Sequence, residues 1–194
     1  MITERLKQAT RTSHAELEKL VIERIRHTNT AAGYLRLLEI FYGFYKPVEE
    51  KIEAFIDHSH FTDFHQRRKS AALLQDIKQM DVEKDGPLCQ DIPEITGAAQ
   101  SLGALYVLEG STLGGSVICK LLRKEMGESA PELFVFFNGY GEETMDMWTK
   151  FKDKLNNYTD DAAIQQQMMA AANETFIKFK NWISLYERNG EKEL

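Results

Sequence analysis

The 194-residue chain carries 24 Lys and Arg residues against 30 Asp and Glu residues, which gives a formal net charge of −6 at pH 7. This acidic balance argues against non-specific nucleic-acid binding, and no apolar run approaches the roughly 20 residues that a membrane-spanning helix needs. The N-terminus lacks the apolar segment of a signal peptide, and Cys89 and Cys119 form no Cys-x-x-Cys pair, so we expect a cytoplasmic protein.

Helical periodicity accounts for most of the chain, and no alternating strand pattern interrupts it. Apolar residues spaced three and four apart predict helices over residues 3–22, 31–56, 69–80, 91–126, around 145–155 and 159–186. The clearest turns are Asp85-Gly86-Pro87 and Gly139-Tyr140-Gly141. We therefore predict an all-α fold, a single-domain multi-helix bundle over residues 1–194 whose last few residues form a flexible tail.

Several positions predict where these helices begin, bend or end. Thr3 and Thr159 are expected to cap the first and last helices, and Pro47 is expected to kink or divide the second. Gly127 is placed to end the glycine-rich helix. The aromatic run 133–137 has no partner strand, so we interpret it as a connector or a short helical turn.

His14 borders the apolar face of the first predicted helix. Lys7 and Arg11 precede it by two turns and one turn, and Glu18 follows it by one turn, so all lie on one side. Neutral imidazole is a common ligand of metals and haem iron, the two cations suit carboxylates, and the glutamate suits the second ring N–H. Ordinary surface pairing explains this helix at least as well when it is taken alone.

The stretch 103–117 has the pattern of a helix interior and yet contains Gly103, Gly110, Gly114 and Gly115. A glycine within a helix costs roughly 0.5–1 kcal/mol relative to alanine, so four of them need a reason. The first three fall on one face, where another helix or a flat ligand can lie against the backbone. Close helix packing explains two glycines well and four poorly, and the adjacent Gly114 and Gly115 favour a helix that bends over a flat ligand.

Other sites common in all-α proteins lack their sequence signals here. A di-iron bundle needs Glu-x-x-His motifs and a zinc site needs clustered Cys and His residues, and the chain has neither pattern. Cys-x-x-Cys-His is also absent, so any haem is expected to be held non-covalently. No Gly-x-Gly-x-x-Gly or P-loop pattern supports a nucleotide site.

Two segments resemble the haem oxygenase family. Residues 9–18, Ala-Thr-Arg-Thr-Ser-His-Ala-Glu-Leu-Glu, look like the helix that carries the axial histidine. Residues 103–115, Gly-Ala-Leu-Tyr-Val-Leu-Glu-Gly-Ser-Thr-Leu-Gly-Gly, look like the distal helix of the bacterial members, especially those associated with bacteriophytochromes. Either motif alone is weak, but the pair occurs in the right order, and the helix order and length fit across nearly the whole chain.

The resemblance implies a haem-degrading oxygenase. A b-type haem, held non-covalently, would be both cofactor and substrate and would lie between the first helix and a kinked glycine-rich helix. O2 and electrons from an external ferredoxin or flavin reductase would convert it to biliverdin, carbon monoxide and iron. A functional link to a bilin-binding phytochrome is implied as well. A non-catalytic haem-binding or haem-trafficking protein, and a related helical enzyme such as a thiamin-degrading one, remain open as alternatives.

The resemblance also assigns roles to individual residues. His14 is implied as the axial iron ligand, with Glu18 as its hydrogen-bond partner. The other matches are basic positions near the haem propionates and glycines whose backbone covers the porphyrin, namely Lys7, Arg11, Gly110, Gly114 and Gly115. The sequence departs from the mammalian members at Ser111, because those proteins carry an aspartate directly after the first distal glycine. Water held by Ser111 or by main-chain groups would then take over the role of that aspartate in oxygen activation.

Overall fold

The computed structural model describes residues 1–80 and 86–190, and this part of the chain contains helices and no strand. Its α-helices are α1 (Ile2–Ala9), α2 (Arg11–Arg26), α3 (Ala31–Phe55), α4 (Ala71–Lys78), α5 (Ala98–Gly110), α6 (Gly115–Met126), α7 (Val135–Asn138), α8 (Thr144–Asn156) and α9 (Ala162–Gly190). Short 3₁₀ turns lie at Phe64–Gln66, Ser111–Gly114, Gly127–Ser129 and Gly141–Glu143. The all-α prediction is confirmed, and the short helix α7 begins within the aromatic run 133–137.

The longest helix, α9, contacts α1, α2, α3 and α5 and so lies at the centre of the bundle. Its most extensive contact is with α5. A Cβ atom added at Gly103 would lie 2.2 Å from the carbonyl oxygen of Met168 and 3.0 Å from the Cβ atom of Ala171. The two helices therefore approach so closely that only glycine fits at this point.

An aromatic cluster joins α3, α7 and α9. Phe41 makes edge-to-face contacts with Phe136 and Phe179, at centroid distances of 5.9 and 5.1 Å. Tyr45, one turn further along α3, also contacts Phe136 edge-on at 5.2 Å. The ring quadrupole favours these T-shaped contacts. The cluster directs the Tyr45 hydroxyl toward Ser111, where the glycine-rich helix is interrupted.

The predicted N-terminal helix is divided in two. α1 and α2 meet at Thr10, whose backbone angles (φ −100°, ψ 0°) lie outside the α-helical range, and whose hydroxyl donates to the carbonyl oxygen of Leu6 at 2.8 Å. Thr3 does not cap the helix, because it is buried within α1 and its hydroxyl donates to Oδ1 of Asn156 at 3.0 Å. Met1 occupies the cap position without a side-chain hydrogen bond.

α3 begins after Thr30 as predicted, and it is not divided at Pro47. Proline has no N–H group, so the carbonyl of Gly43, four residues earlier, loses its intrahelical partner. The backbone N–H of Cys89 donates to that carbonyl at 2.8 Å. A Cβ atom at Gly43 would lie 2.5 Å from the carbonyl oxygen of Pro87. The proline and the glycine together create a docking point for the segment that follows α4.

The glycine-rich helix begins seven residues later than the predicted start at Asp91, because α5 starts at Ala98. Residues 86–97 have no regular secondary structure and lie along α9. Asp91 pairs with Lys178, and the backbone N–H of Glu94 donates to a carboxylate oxygen of Glu174 at 3.2 Å. Partners on α9 thus replace helical hydrogen bonds in this segment.

The other helix ends follow local capping chemistry. Asp161, rather than the predicted Thr159, caps α9, because its Oδ1 accepts the N–H of Ala163 at 2.7 Å. Gly127 ends α6 with a positive φ of 55°, as predicted. Asp85 of the predicted turn and the predicted tail beyond residue 190 lie outside the described residues.

One stretch in the described ranges, Ala98–Ser129, is long and apolar enough by length and composition to cross a membrane. No such stretch was expected from the sequence. Half of its most apolar window (50%) is buried within the protein, and the 3₁₀ turn Ser111–Gly114 interrupts it. A core helix passes the same test, so this stretch is weak evidence for a membrane span.

Candidate functional site

His14 lies in the first turns of α2, and its side chain is 56% exposed. α9 holds this part of α2, because Ser13 Oγ donates to Asn173 Oδ1 at 2.7 Å and the His14 ring lies edge-on to Phe176 with centroids 5.3 Å apart. Nδ1 of the imidazole is 3.7 Å from Oε2 of Glu18, which is longer than a hydrogen bond. No other residue in the described ranges hydrogen-bonds the ring, so Nε2 is free to bind a ligand.

Lys7 and Arg11 lie on either side of the junction between α1 and α2. Both are exposed, and neither forms an ion pair with another residue that the structure describes. Glu16, in contrast, pairs with Lys180 of α9 at 2.6 Å. The two cations are therefore available to an acidic group, and their role in binding stays a prediction.

Two of the four glycines are required by packing inside the protein. Gly103 lies against α9 as described above, and a Cβ atom at Gly115 would lie 2.0 Å from the carbonyl oxygen of Phe137. α6 thus rests directly on the backbone of α7. Helix packing, the alternative left open by the sequence, accounts for both residues, and a ligand contact at Gly115 stays a prediction.

Gly110 and Gly114 differ from Gly103 and Gly115, because a Cβ atom added at either position would clash with no neighbour. Among the described residues, a Cβ atom at Gly114 would meet only Cδ1 of Ile118 at 4.0 Å, and one at Gly110 only the ring of Trp148 at 3.7 Å. Packing within the protein therefore does not require glycine at either position. α2, which carries His14, contacts α6. Gly110 ends α5 and Gly114 ends the 3₁₀ turn directly before α6, so the bare backbone lies next in the chain to an element that α2 contacts.

The 3₁₀ turn Ser111–Gly114 joins α5 to α6 and breaks the α-helical hydrogen-bond series. Carbonyl groups at the C-terminus of a helix lack intrahelical donors. Two hydroxyls of the turn supply them, because Ser111 Oγ donates to the carbonyl oxygen of Leu108 and Thr112 Oγ1 to that of Glu109, both at 2.7 Å. A 3₁₀ turn thus lies where the sequence predicted a bend of the glycine-rich helix, and side chains of the turn itself stabilise it.

Two side chains from other elements converge on Ser111. The Tyr45 hydroxyl of α3 donates to Ser111 Oγ at 3.0 Å, and Nη2 of Arg68, in the loop before α4, donates at 2.6 Å. Arg68 Nη2 also donates to the carbonyl oxygen of Leu108 at 2.7 Å. The Arg68 guanidinium lies over the ring of Phe136, 4.1 Å from its centroid. Ser111 is therefore part of a side-chain network and not a lone hydroxyl.

A buried ion-pair network lies next to the turn. Glu109, directly before Gly110 in the chain, accepts a hydrogen bond from Arg67 Nη1 at 2.5 Å, and the two side chains are 3% and 1% exposed. Arg67 also pairs with Asp63 at 2.7 Å, and Asp63 pairs with Lys154 at 2.8 Å. Two cations and two anions thus balance, which is the condition under which buried charges are tolerated.

The network shifts the pKa values of two groups. Burial, followed by the neighbouring Glu109 carboxylate, raises the pKa of Tyr140, whose hydroxyl donates to Glu109 at 2.9 Å. Burial alone would raise the pKa of Asp63, but the hydrogen bond from Lys154 and the charge of Arg67 outweigh it and hold the pKa below its ordinary value. Tyr140 therefore stays a hydrogen-bond donor and Asp63 stays ionised at neutral pH.

Arg67, Arg68 and Tyr45 were not predicted from the sequence. They lie 42, 43 and 66 residues from their partners in the glycine-rich segment, and no motif links them to it. Glu109 did offer a signal, because a carboxylate inside an apolar stretch predicts a buried partner of opposite charge. Its position in the sequence cannot tell which residue that partner is.

These donors fit haem better than a bare metal ion. Over residues 1–80 and 86–190, no group of three or more His, Cys, Asp or Glu side chains is placed to hold a metal. A single free imidazole suits haem iron, because the porphyrin provides the equatorial ligands and the protein an axial one. The open backbone at Gly110 and Gly114 suits the flat face of the ring.

Comparisons with known proteins agree with this assignment. A family model described as Heme oxygenase matches residues 1–184. A curated heme oxygenase from Xanthomonas campestris pv. campestris (strain 8004) is 30% identical over 122 residues, which is 63% of this chain and 71% of that protein.

Three solved structures share the fold. A heme oxygenase from Neisseria meningitidis, described in NO- and CO-bound forms, aligns with a TM-score of 0.78 and 21% identity, covering 96% of this chain and 92% of that one. The enzyme from Leptospira interrogans aligns with a TM-score of 0.73 and 17% identity, covering 94% and 98%. Heme oxygenase-1 from the cyanobacterium Synechocystis sp. PCC6803, in complex with heme, aligns with a TM-score of 0.72 and 17% identity. The alignment covers 99% of this chain and 95% of that one.

Proposed function

The chain belongs to the haem oxygenase family, and from that premise we propose that haem binds between α2 and the 3₁₀ turn Ser111–Gly114. The protein is an oxygenase that degrades haem to biliverdin, carbon monoxide and iron. Family membership does not favour the alternative of a non-catalytic haem-binding or trafficking protein. Haem is therefore the substrate as well as the cofactor.

Two observations support the binding site: α2 carries a free imidazole, and α2 contacts α6, the helix that directly follows the bare backbone at Gly114. His14 would hold the iron through Nε2, the ring nitrogen that makes no hydrogen bond or ion pair with any described residue. Gly110 and Gly114 would let the other porphyrin face approach the main chain, because neither carries a side chain. The space beside Gly114 is nearly open, whereas the Trp148 ring lies 3.7 Å from the Cβ position at Gly110. The bound haem supplies the redox chemistry, and the protein supplies position and orientation.

The remaining predicted residues would orient the haem. Glu18 lies one turn after His14, and its contact of 3.7 Å with Nδ1 is expected to shorten to a hydrogen bond when the ring is held by iron. That bond would keep the proton on Nδ1 and leave Nε2 as the ligand atom. Lys7 and Arg11 would meet the two propionates, because both are exposed cations without an ion-pair partner among the described residues.

The oxidant, the electrons and the recipient of the product come from outside the chain. We propose a non-covalent b-type haem and O2 as co-substrate. An external ferredoxin or flavin reductase would supply the electrons, because the sequence has no flavin or nicotinamide motif. A cytoplasmic location and delivery of biliverdin to a bilin-binding phytochrome complete the proposal.

Titration of the purified protein with ferric haem tests the axial ligand. His14→Ala should lose the spectrum of histidine-ligated haem and, with reductant and air, biliverdin formation. Added imidazole should restore the spectrum, since the exposed position of His14 leaves access to a free ligand. His27→Ala changes an exposed histidine at the end of the same helix and should bind haem like the wild type. An unchanged spectrum and turnover in His14→Ala would refute the assignment.

A further inference from the structure

The hydroxyl of Ser111 has no unused hydrogen-bonding capacity. Its proton is donated to the carbonyl oxygen of Leu108 at 2.7 Å. Its oxygen accepts from the Tyr45 hydroxyl at 3.0 Å and from Arg68 Nη2 at 2.6 Å. A serine hydroxyl offers one donor and two acceptor positions, so all three are occupied. In this arrangement Ser111 cannot also donate to a ligand or accept from an ordered water.

Arg68 has capacity to spare. A guanidinium carries five N–H donors, and the described structure uses one nitrogen, Nη2, toward Leu108 and Ser111. The group is held in place by the ring of Phe136 at 4.1 Å and that of Tyr45 at 5.6 Å from the ring centroids. These ring contacts orient the planar guanidinium and do not occupy its remaining N–H groups.

The positive charge of Arg68 is also unbalanced. Its sequence neighbour Arg67 and Lys154 are neutralised by Glu109 and Asp63 in the adjacent network. Arg68 itself forms no ion pair within 4.0 Å with any carboxylate in the described part of the chain. A half-buried cation with free donors, held against the turn Ser111–Gly114, suits a ligand that is negative or becomes negative.

We propose that Arg68 is the residue that stands in for the missing distal carboxylate, and that Ser111 serves to position it. The inference rests on the proposed function, because it places the haem beside the glycine turn. Arg68 would act by its charge and its free N–H groups on an anionic ligand at the iron and on the water around it. Ser111 and the Leu108 carbonyl hold the guanidinium at the start of the 3₁₀ turn through the two hydrogen bonds of Nη2.

Fluoride binding to the ferric haem complex tests this assignment without relying on turnover. Fluoride is an anion that accepts hydrogen bonds, so its dissociation constant reports on cationic donors near the iron. Arg68→Met should raise that constant at least tenfold, since a charge-assisted hydrogen bond to a partly buried group is lost. Arg68→Lys keeps the charge without the fork and should raise it only a few-fold. Ser111→Ala removes one of the two oxygen acceptors that position the guanidinium and should raise the constant measurably but by less than Arg68→Lys does, because the Leu108 carbonyl and the rings of Tyr45 and Phe136 still hold Arg68.

A matched control is Arg123→Met. Arg123 also lies over an aromatic ring, that of Phe134 at 5.1 Å, and donates to a backbone carbonyl, that of Glu132 at 2.9 Å. It is exposed and lies at the far end of α6, so fluoride affinity should be unchanged. The haem dissociation constant and the urea unfolding midpoint are measured for every variant. If Arg68→Met does not fold, Arg68→Lys and Ser111→Ala still discriminate between the two residues.

The outcomes separate this inference from the proposed function. A wild-type protein that binds no haem would refute the proposed function and the inference with it. A wild-type protein that binds haem and forms biliverdin, while Arg68→Met binds fluoride within twofold of the wild type, would refute the inference alone. The inference would also be wrong if Ser111→Ala weakened fluoride binding more than Arg68→Lys did.

Discussion

Arg67 and Glu109 form an ion pair with 2.5 Å between Nη1 and Oε2, although 42 residues separate them in the sequence and both side chains are almost fully buried. The pair ties the loop before α4 to the last turn of α5, directly before Gly110. The hydroxyl of Tyr140 adds a third contact to the same carboxylate. The conformation of the glycine turn therefore depends on charges that are hidden from solvent.

Removing one partner of this pair should be strongly destabilising. Glu109→Gln keeps the shape of the side chain but removes its charge. The buried Arg67 guanidinium then keeps only its pair with Asp63 among the described carboxylates. Breaking a buried pair in this way costs about 3–5 kcal/mol, and we expect the free energy of unfolding in urea to fall by about that amount. Glu50→Gln breaks the exposed pair with Lys46 and should cost under about 1 kcal/mol. Equal losses in the two variants would contradict the structural role of the network.

The stability of the protein should fall at acid pH partly through Asp63. The pKa of Asp63 is held below its ordinary value by Lys154 and Arg67, against the opposing effect of burial. Its stabilising contribution is therefore complete above the unfolded-state pKa of about 3.9 and is lost as the pH falls through the lower folded-state pKa. Asp63→Asn should be less stable than the wild type at pH 7, and the difference should shrink below about pH 4. A difference that stays constant from pH 7 to pH 3 would rule this out.

Alanine at two of the glycines should separate packing from ligand binding. Gly115→Ala places a Cβ atom 2.0 Å from the carbonyl oxygen of Phe137, so α6 and α7 must move apart. Overpacking of this kind costs about 1–3 kcal/mol. Gly114→Ala meets only Cδ1 of Ile118 at 4.0 Å and should leave the unfolding free energy within about 0.5 kcal/mol of the wild type. Comparable losses for the two variants, measured by urea unfolding, would show that the turn is packed differently.

A larger side chain at Gly114 should interfere with haem and not with folding. Gly114→Leu projects into the open space where we place the porphyrin, so the haem dissociation constant should rise at least tenfold, which corresponds to about 1.4 kcal/mol. Gly114→Ala is the matched control and should bind haem more tightly than the leucine variant. The titration is followed by haem absorbance, and the unfolding midpoint is recorded for both proteins. Normal haem affinity in a folded Gly114→Leu protein would place the ring elsewhere.

Properties that depend on neighbours along the chain could be predicted from the sequence. The 3.6-residue period predicted the all-α fold, and the side chain of Thr30 accepts the N–H of Gly33 at the start of α3. The i, i+4 spacing of His14 and Glu18 predicted their contact within one helix. The adjacent Gly114 and Gly115 predicted a local bend, and a 3₁₀ turn is present there. In each case the interacting groups lie within one or two helical turns of each other.

Where a residue could either start a helix or bind a partner far along the chain, only the tertiary structure decided between the two. Thr3 and Asp91 have the residue types that start helices, but Asn156 and Lys178 bind them elsewhere. Nothing within the glycine pattern separates Gly103, which packs against α9, from Gly114, which has open space.

The surroundings of Ser111 show the same limit most clearly. The sequence by itself determined that a hydroxyl replaces a carboxylate after the first glycine of the turn. It could not show that Arg68 and Tyr45 occupy that hydroxyl, because they come from positions 43 and 66 residues away. A hydrogen bond needs its two atoms within about 3 Å, and for groups on separate helices only the packing of those helices decides whether they meet.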